Sequence, residues 1–299
     1  MDDMLAEQFD RVLADLCPLE QVETLDMAPQ GAAWAALSES GFLDALTAEA
    51  HGGAGVAFSD LFPLGAALGR RLTPAPVLET MIARAILADA GLEAPQGAIS
   101  LGAGEAAAWR LRGRDGRLSL SAGDAPTGAT PAAEGAWNGT ALRNLAAAAL
   151  AARISGAVDA VLTMTLEYAQ LRKQFGREIG KFQAVQQHLS VMAEEVAAAS
   201  AAARTAFVGD YSNLPTSLAA AAKLRAGEAA LLVATTAHAL HGAIGISREH
   251  SLQLYTRRLH AWRLAEGSGA YWARLIGAER LAFTGGSVDF VRSLQGAPA

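Results

Sequence analysis

The chain has 299 residues, 52% hydrophobic and 18% charged, with 30 acidic side chains against 24 basic ones and a single cysteine. Charge is sparse beside the about 25% of an ordinary domain, and a net charge of −6 excludes the broad basic face of a nucleic-acid binder. Apolar residues are too many for a disordered chain, and the lone Cys17 excludes an intrachain disulfide and a multi-cysteine zinc site. Cys17 reads as a small buried apolar side chain. The alanine-rich runs are broken by Arg153, Glu194, Glu195, Arg204, Lys223, Arg225 and Glu228. No uninterrupted apolar segment therefore reaches the ~18–20 residues of a spanning helix. Met1-Asp2-Asp3 is acidic, unlike a targeting peptide, and a cytoplasmic protein without nucleic-acid or membrane partners is expected.

From Met4 to about Leu92, short helical patterns alternate with turn signals at Pro18, Pro29-Gln30-Gly31, 51–55 and 73–76. One helix is expected to open at Ser59-Asp60, where either side chain can cap. Residues 98–142 differ. Trp109–Arg112 and Leu118–Leu120 alternate apolar with polar around Gly113-Arg114-Asp115-Gly116, which predicts a hairpin and two or three short strands at most. Residues 122–135 carry no period and read as a loop. From Asn144 to about Leu281 the chain is helical in long pieces: 145–171 with a stripe at Ile154, Val158, Val161, Leu162 and Tyr168, then 182–208, then 215–240 opened by Pro215. Gly242–Gly245 breaks the third; a fourth runs from about Ser247 to before Gly267, and a last over 270–283. A mainly α protein is expected, with an N-terminal helical domain (1–97), a short β middle segment (98–143), a helical bundle (144–284) and a flexible tail (285–299).

The densest motif runs from Tyr168 through Arg172, Gln174, Phe175, Gly176, Ile179 and Gly180 to Phe182-Gln183. On residue types it is a helix end, a turn and a new helix. Arg172 and Gln174 there either face solvent or offer N–H donors to a phosphate or base. The stretch resembles the helix–turn–helix of the acyl-CoA dehydrogenase flavoproteins. In that family the matching Arg, polar residue and Phe hold the ADP half of an FAD carried mainly by the neighbouring subunit, which implies that role for Arg172, Gln174 and Phe175. A second segment, Leu240 to Ile246 followed by Glu249 and Arg257-Arg258, is similar to the family's Gly-Gly-x-Gly turn. The resemblance makes Gly242, Ala243 and Gly245 cofactor-binding by backbone N–H groups, although Ala243 replaces a Gly and Ala239 a common Gln. Trp34 to Leu46, Glu49 to Gly55 and Leu68 to Pro76 resemble the N-terminal helical domain, so the likeness covers about 1–92 and 144–282.

Leu264-Ala265-Glu266-Gly267-Ser268 is similar to the family's Glu-Gly-Thr segment. By that resemblance Glu266 is the catalytic base that removes the α-proton of an acyl-CoA thioester while the β-hydrogen leaves as hydride to the flavin, and Ser268 bonds the flavin. As residues alone, Glu266 reads equally as a helix-end side chain. Ala265 and Ala270 depart from the pattern, and the alternative base and CoA-facing Arg positions fall on Ala146 and Ala147. The six histidines are scattered, with no metal-ligand spacing. His188 reads as a core histidine, and Trp262 and Trp272 as packing.

The middle segment matches no flavin-covering motif of the family, and roughly 45 residues are too few to exclude water from a ring and a thioester. The resemblance is therefore to the shortened subunit of α2β2 acyl-CoA dehydrogenases, including those acting on steroid side chains. It implies FAD, an acyl-CoA substrate, a longer partner subunit and an electron-transferring flavoprotein as acceptor. The alternative is a non-catalytic scaffold that grips ADP and completes the oligomer.

Overall fold

The longest helix organises the molecule. In the computed structural model, which describes residues 2–25, 31–102, 107–125 and 130–294, α5 spans Leu142–Leu171. Arg143 apart, every residue from Leu142 to Val158 is buried, as expected of a helix apolar on all sides. After it come α6 (Gln183–Thr205), α7 (Thr216–His241), α8 (Leu252–Trp262) and α9 (Gly269–Ala282). Because α5, α6 and α7 join through short connections, α5 and α7 run parallel. Asn144 Nδ2 donates to Thr216 Oγ1 at 3.0 Å where both begin, and Tyr168 Oη donates to the His241 carbonyl at 3.3 Å where both end. Alanine lets these helices approach closely.

Before them come α1 (Asp2–Leu16), α2 (Ala32–Glu39), α3 (Leu61–Arg70) and α4 (Val77–Asp89). The helix expected at Ser59-Asp60 starts at Leu61 after a 3-10 turn, and the Asp60 side chain does not cap it. α3 crosses α5 in backbone contact: a Cβ at Gly69 would lie 1.8 Å from the Arg153 carbonyl, and one at Gly156 1.8 Å from the Ala66 carbonyl. Replacing Gly156 by alanine is expected to force these helices apart and cost about 3 kcal/mol or more, read as a lowered midpoint in urea. Arg153 crosses the same junction, buried, with Nη2 donating to the Thr73 carbonyl at 2.8 Å and its guanidinium 4.6 Å over the Trp262 ring. Cys17 is buried, as read from the sequence.

The middle segment forms a sheet ordered β1 (Ile99–Ser100), β2 (Trp109–Arg114), β3 (Arg117–Ala122), β4 (Ala133–Ala136). β1 is parallel to β2, and the remaining pairs are antiparallel. The β2–β3 hairpin closes at Asp115-Gly116, both at positive φ, the mirror-image turn that matches strand twist. Four strands exceed the two or three expected. β4 overlaps the end of the stretch read as a loop, because backbone pairing to β3 rather than side-chain alternation makes it a strand.

Other expectations are corrected. The tail read as flexible contains α10 (Ser287–Leu294), held by Phe290 packing 5.6 Å from Phe283. His188 is exposed, not a core residue. By length and hydropathy α5 and the stretch Thr216–Ile246 are apolar enough to cross a membrane, although neither is an uninterrupted apolar run. α5 is the core of the bundle, with 83% of its most apolar window buried; the window in the second stretch is 39% buried. The turn read at Pro29-Gln30, part of the 122–135 loop and the last five residues lie outside the described residues.

Candidate functional site

Two half-sites form at opposite ends of α5, which at 1.5 Å per residue is about 45 Å long. The first gathers where α5 and α7 end. Arg172 caps α5, its N–H bonded to the Tyr168 carbonyl at 2.8 Å, and its guanidinium is exposed. The expected plain turn is a small hairpin instead, β5 (Lys173–Gln174) against β6 (Arg177–Glu178), closed by Phe175 and Gly176 at φ +51° and +79°. A phenylalanine in the left-handed region is uncommon, and here the residue is 91% exposed at the hairpin tip, its ring edge-to-face with Phe182 at a centroid separation of 6.0 Å. Gln174 is exposed beside it. Glu178 braces the base, paired with Lys181 at 2.6 Å and Lys173 at 3.9 Å; the Lys181 contact holds its carboxyl below the usual range.

Tyr168 joins this hairpin to the glycine turn, stacking on His241 at 4.3 Å. Gly242 has φ +64° and ψ −143°, a conformation essentially reserved for glycine. Gly242 and Ala243 face outward, whereas Gly245 is buried, with space beside it limited by His241 and Leu252 at 3.0 Å. Histidines from the end of α7 and from the segment after the glycine turn meet here: the His241 and His250 rings lie 4.9 Å apart, and His238 reaches Thr256 at 2.9 Å. Burial pushes the pKa of His238 and of His241 down. Among the described residues no group of His, Cys, Asp and Glu is arranged to hold a metal ion.

The second half-site lies where α5 begins and α8 turns into α9. Glu266 and Gly267 sit at φ +53° and +101°. That strained loop is clamped three ways: Trp272 Nε1 donates to the Glu266 carbonyl at 3.0 Å, Ser268 Oγ accepts from Tyr271 N at 3.3 Å, and Lys223 Nζ donates to the Arg263 and Gly267 carbonyls at 3.1 and 3.3 Å. Ser268, expected at the flavin, is thus the N-cap of α9; its hydroxyl hydrogen is not used in that cap. The Glu266 carboxylate lines a cavity of about 260 Å3 with Leu101, Gly102, Arg110, Arg112 and Arg143. Leu101 is fixed there by its N–H bond to Glu79 Oε2 at 2.6 Å.

Lys223 was visible in the sequence only as an interruption of an alanine run. It is 1% exposed, and burial pulls its pKa from 10.5 to about 8 against the raising effect of Glu266. The unfolded chain binds this proton up to about pH 10.5 and the folded chain only to about 8, so between those values folding gains stability as pH rises. The gain is on the order of 3 kcal/mol. Denaturant midpoints of wild type and Lys223→Met are expected to diverge across that window in favour of wild type; parallel curves contradict the assignment.

The fold thus sets an exposed hairpin and glycine turn at one end of α5 and a carboxylate on a clamped loop at the other. Residues 140–282 match the family model for the acyl-CoA dehydrogenase C-terminal domain. The chain is 31% identical over 242 residues to acyl-CoA dehydrogenase IpdE2 of Mycobacterium tuberculosis, covering 71% of this chain and 74% of that protein. It is 27% identical to acyl-CoA dehydrogenase FadE34 of the same organism, over 82% of this chain but only 41% of FadE34. A chain in the crystal structure of the M. tuberculosis ChsE4-ChsE5 complex superposes with a TM-score of 0.77 at 23% identity, covering 95% of this chain and 98% of that one. The chain belongs to the acyl-CoA dehydrogenase family, whose members are flavin-dependent oxidoreductases.

Proposed function

We propose that the chain is a subunit of an FAD-dependent acyl-CoA dehydrogenase that works with a longer partner, most simply as an α2β2 heterotetramer. The observation that carries this reading is the separation of the half-sites. One FAD, even extended, is shorter than the about 45 Å of α5, so Arg172 and Glu266 of one chain serve different flavins. The hairpin end fits half of an ADP cradle: an exposed guanidinium suited to pyrophosphate, with no ion pair among the described residues, an exposed aromatic ring that a base can cover, and outward backbone at Gly242 and Ala243. That half needs a second polypeptide to complete it. The two-component ChsE4-ChsE5 structure supports a heteromer, and a structural neighbour described as a steroid acyl-CoA dehydrogenase supports a steroid-derived acyl group.

Bound FAD supplies the hydride acceptor. This chain's residues do the rest: Arg172, Gln174, Phe175, Gly242 and Ala243 grip the nucleotide, and Gly245 packs the turn that aims them. Glu266 holds the proton taken from the acyl α-carbon at its carboxylate, with Lys223 and Trp272 fixing its loop. An electron-transferring flavoprotein would be the acceptor, and a cytoplasmic location suits that exchange. Size-exclusion mass of the chain with and without a longer acyl-CoA dehydrogenase subunit from the same cell tests the assembly. A heteromer absorbing at the flavin band is expected, and two independent peaks contradict it.

A further inference from the structure

The cavity beside Glu266 is ringed by guanidinium groups. Arg110 and Arg112 are two residues apart on β2 and so share one face of the sheet, while Arg143 enters from the first turn of α5. Among the described residues none of the three is ion-paired with a carboxylate. Arg112 Nη1 donates to Ser121 Oγ at 2.8 Å, and Arg143 Nη1 to Tyr271 Oη at 3.1 Å with its guanidinium 5.1 Å over that ring. Arg110 Nε is buried with no hydrogen-bond partner. Three cations facing one space of about 260 Å3 repel one another, and among the described residues Glu266 is the one carboxylate on the wall, which offsets one of them at most. That carboxylate is itself pressed against the backbone of Gly102, where a Cβ would lie 2.1 Å from Oε2. An apolar acyl chain gains nothing from such walls and strips water from three charges. A carboxylate gains paired N–H donors whose fork matches its two oxygens.

We infer that this cavity binds a second acid group carried by the acyl chain, so that the ligand is the CoA thioester of a dicarboxylic acid. The inference rests on the placement of the acyl group at Glu266 in the function proposed above. Titration of succinyl-, glutaryl- and adipoyl-CoA, against butyryl-CoA, hexanoyl-CoA and free CoA, into the full chain with and without its longer partner reads it directly. At least one dicarboxyl thioester is expected to bind about tenfold or more tightly than the monocarboxyl thioester of similar length. Arg110→Gln with Arg112→Gln is expected to erase that preference while leaving butyryl-CoA affinity unchanged. Should the double variant not fold, Arg110→Gln alone is expected to reduce the preference and Arg110→Lys to keep part of it.

Equal affinity for both kinds of thioester, or binding of neither, overturns the assignment. So does free CoA binding as tightly as the dicarboxyl ligands in an arginine-dependent way, because the cavity then reads CoA phosphate. Turnover of Glu266→Gln is measured separately, so failure of the base and failure of the anion site are distinguishable.

Discussion

Replacing Arg172 by alanine is expected to lower the FAD content of the complex with the longer partner by about tenfold to a hundredfold, the worth of a hydrogen bond to a charged group. The Arg172 guanidinium is exposed and makes no ion pair within the described residues, so the change leaves the packing of α5 intact. Phe175→Ala is expected to act in the same direction, because a residue 91% exposed contributes almost nothing to the fold of its own chain. Flavin absorbance per milligram after desalting is the measurement, with the melting temperature as control. Loss of flavin at an unchanged melting temperature is the expected pair of results. Full flavin retention in both variants would remove the hairpin from the cradle.

Glu266→Gln in the same complex is expected to cut dehydrogenation by about a hundredfold to ten-thousandfold, the range for loss of a positioned general base, with FAD retained. Glutamine keeps the shape of the side chain. The Trp272 and Lys223 contacts go to backbone carbonyls, so the clamp on the strained loop survives the substitution. Loss of turnover at full flavin occupancy assigns the proton to Glu266. Unchanged turnover transfers the base to the partner and makes this chain the scaffold that grips ADP.

Much of this organisation is legible in the chain because it is punctuated locally. Pro215 opens α7, Gly242 ends it, and Asp115-Gly116 closes the β2–β3 hairpin; each acts through its own backbone restrictions. The motif proposed to grip the nucleotide is legible for a related reason, since Arg172, Gln174 and Phe175 fall within four residues. What escaped depends on contacts formed in the folded chain rather than on the backbone restrictions of single residues. Phe175 closing a second hairpin in the left-handed region contradicts its intrinsic preference, and only pairing of β5 with β6 fixes it. His238, His241 and His250 meet because α7 stops and the chain folds back over Tyr168. The arginine ring needs β2 to lie against the start of α5, a juxtaposition with no local signature. α10 was hidden because its stability comes from Phe290 against Phe283 rather than from length.

The most direct measurement is the visible spectrum and thioester oxidation of the chain purified alone, set beside the complex with its longer partner. A colourless, inactive single protein and a yellow, active heteromer that loses its flavin on Arg172→Ala are predicted. A homomer that binds FAD unaided and dehydrogenates an acyl-CoA as fast as the complex would contradict the shared cradle.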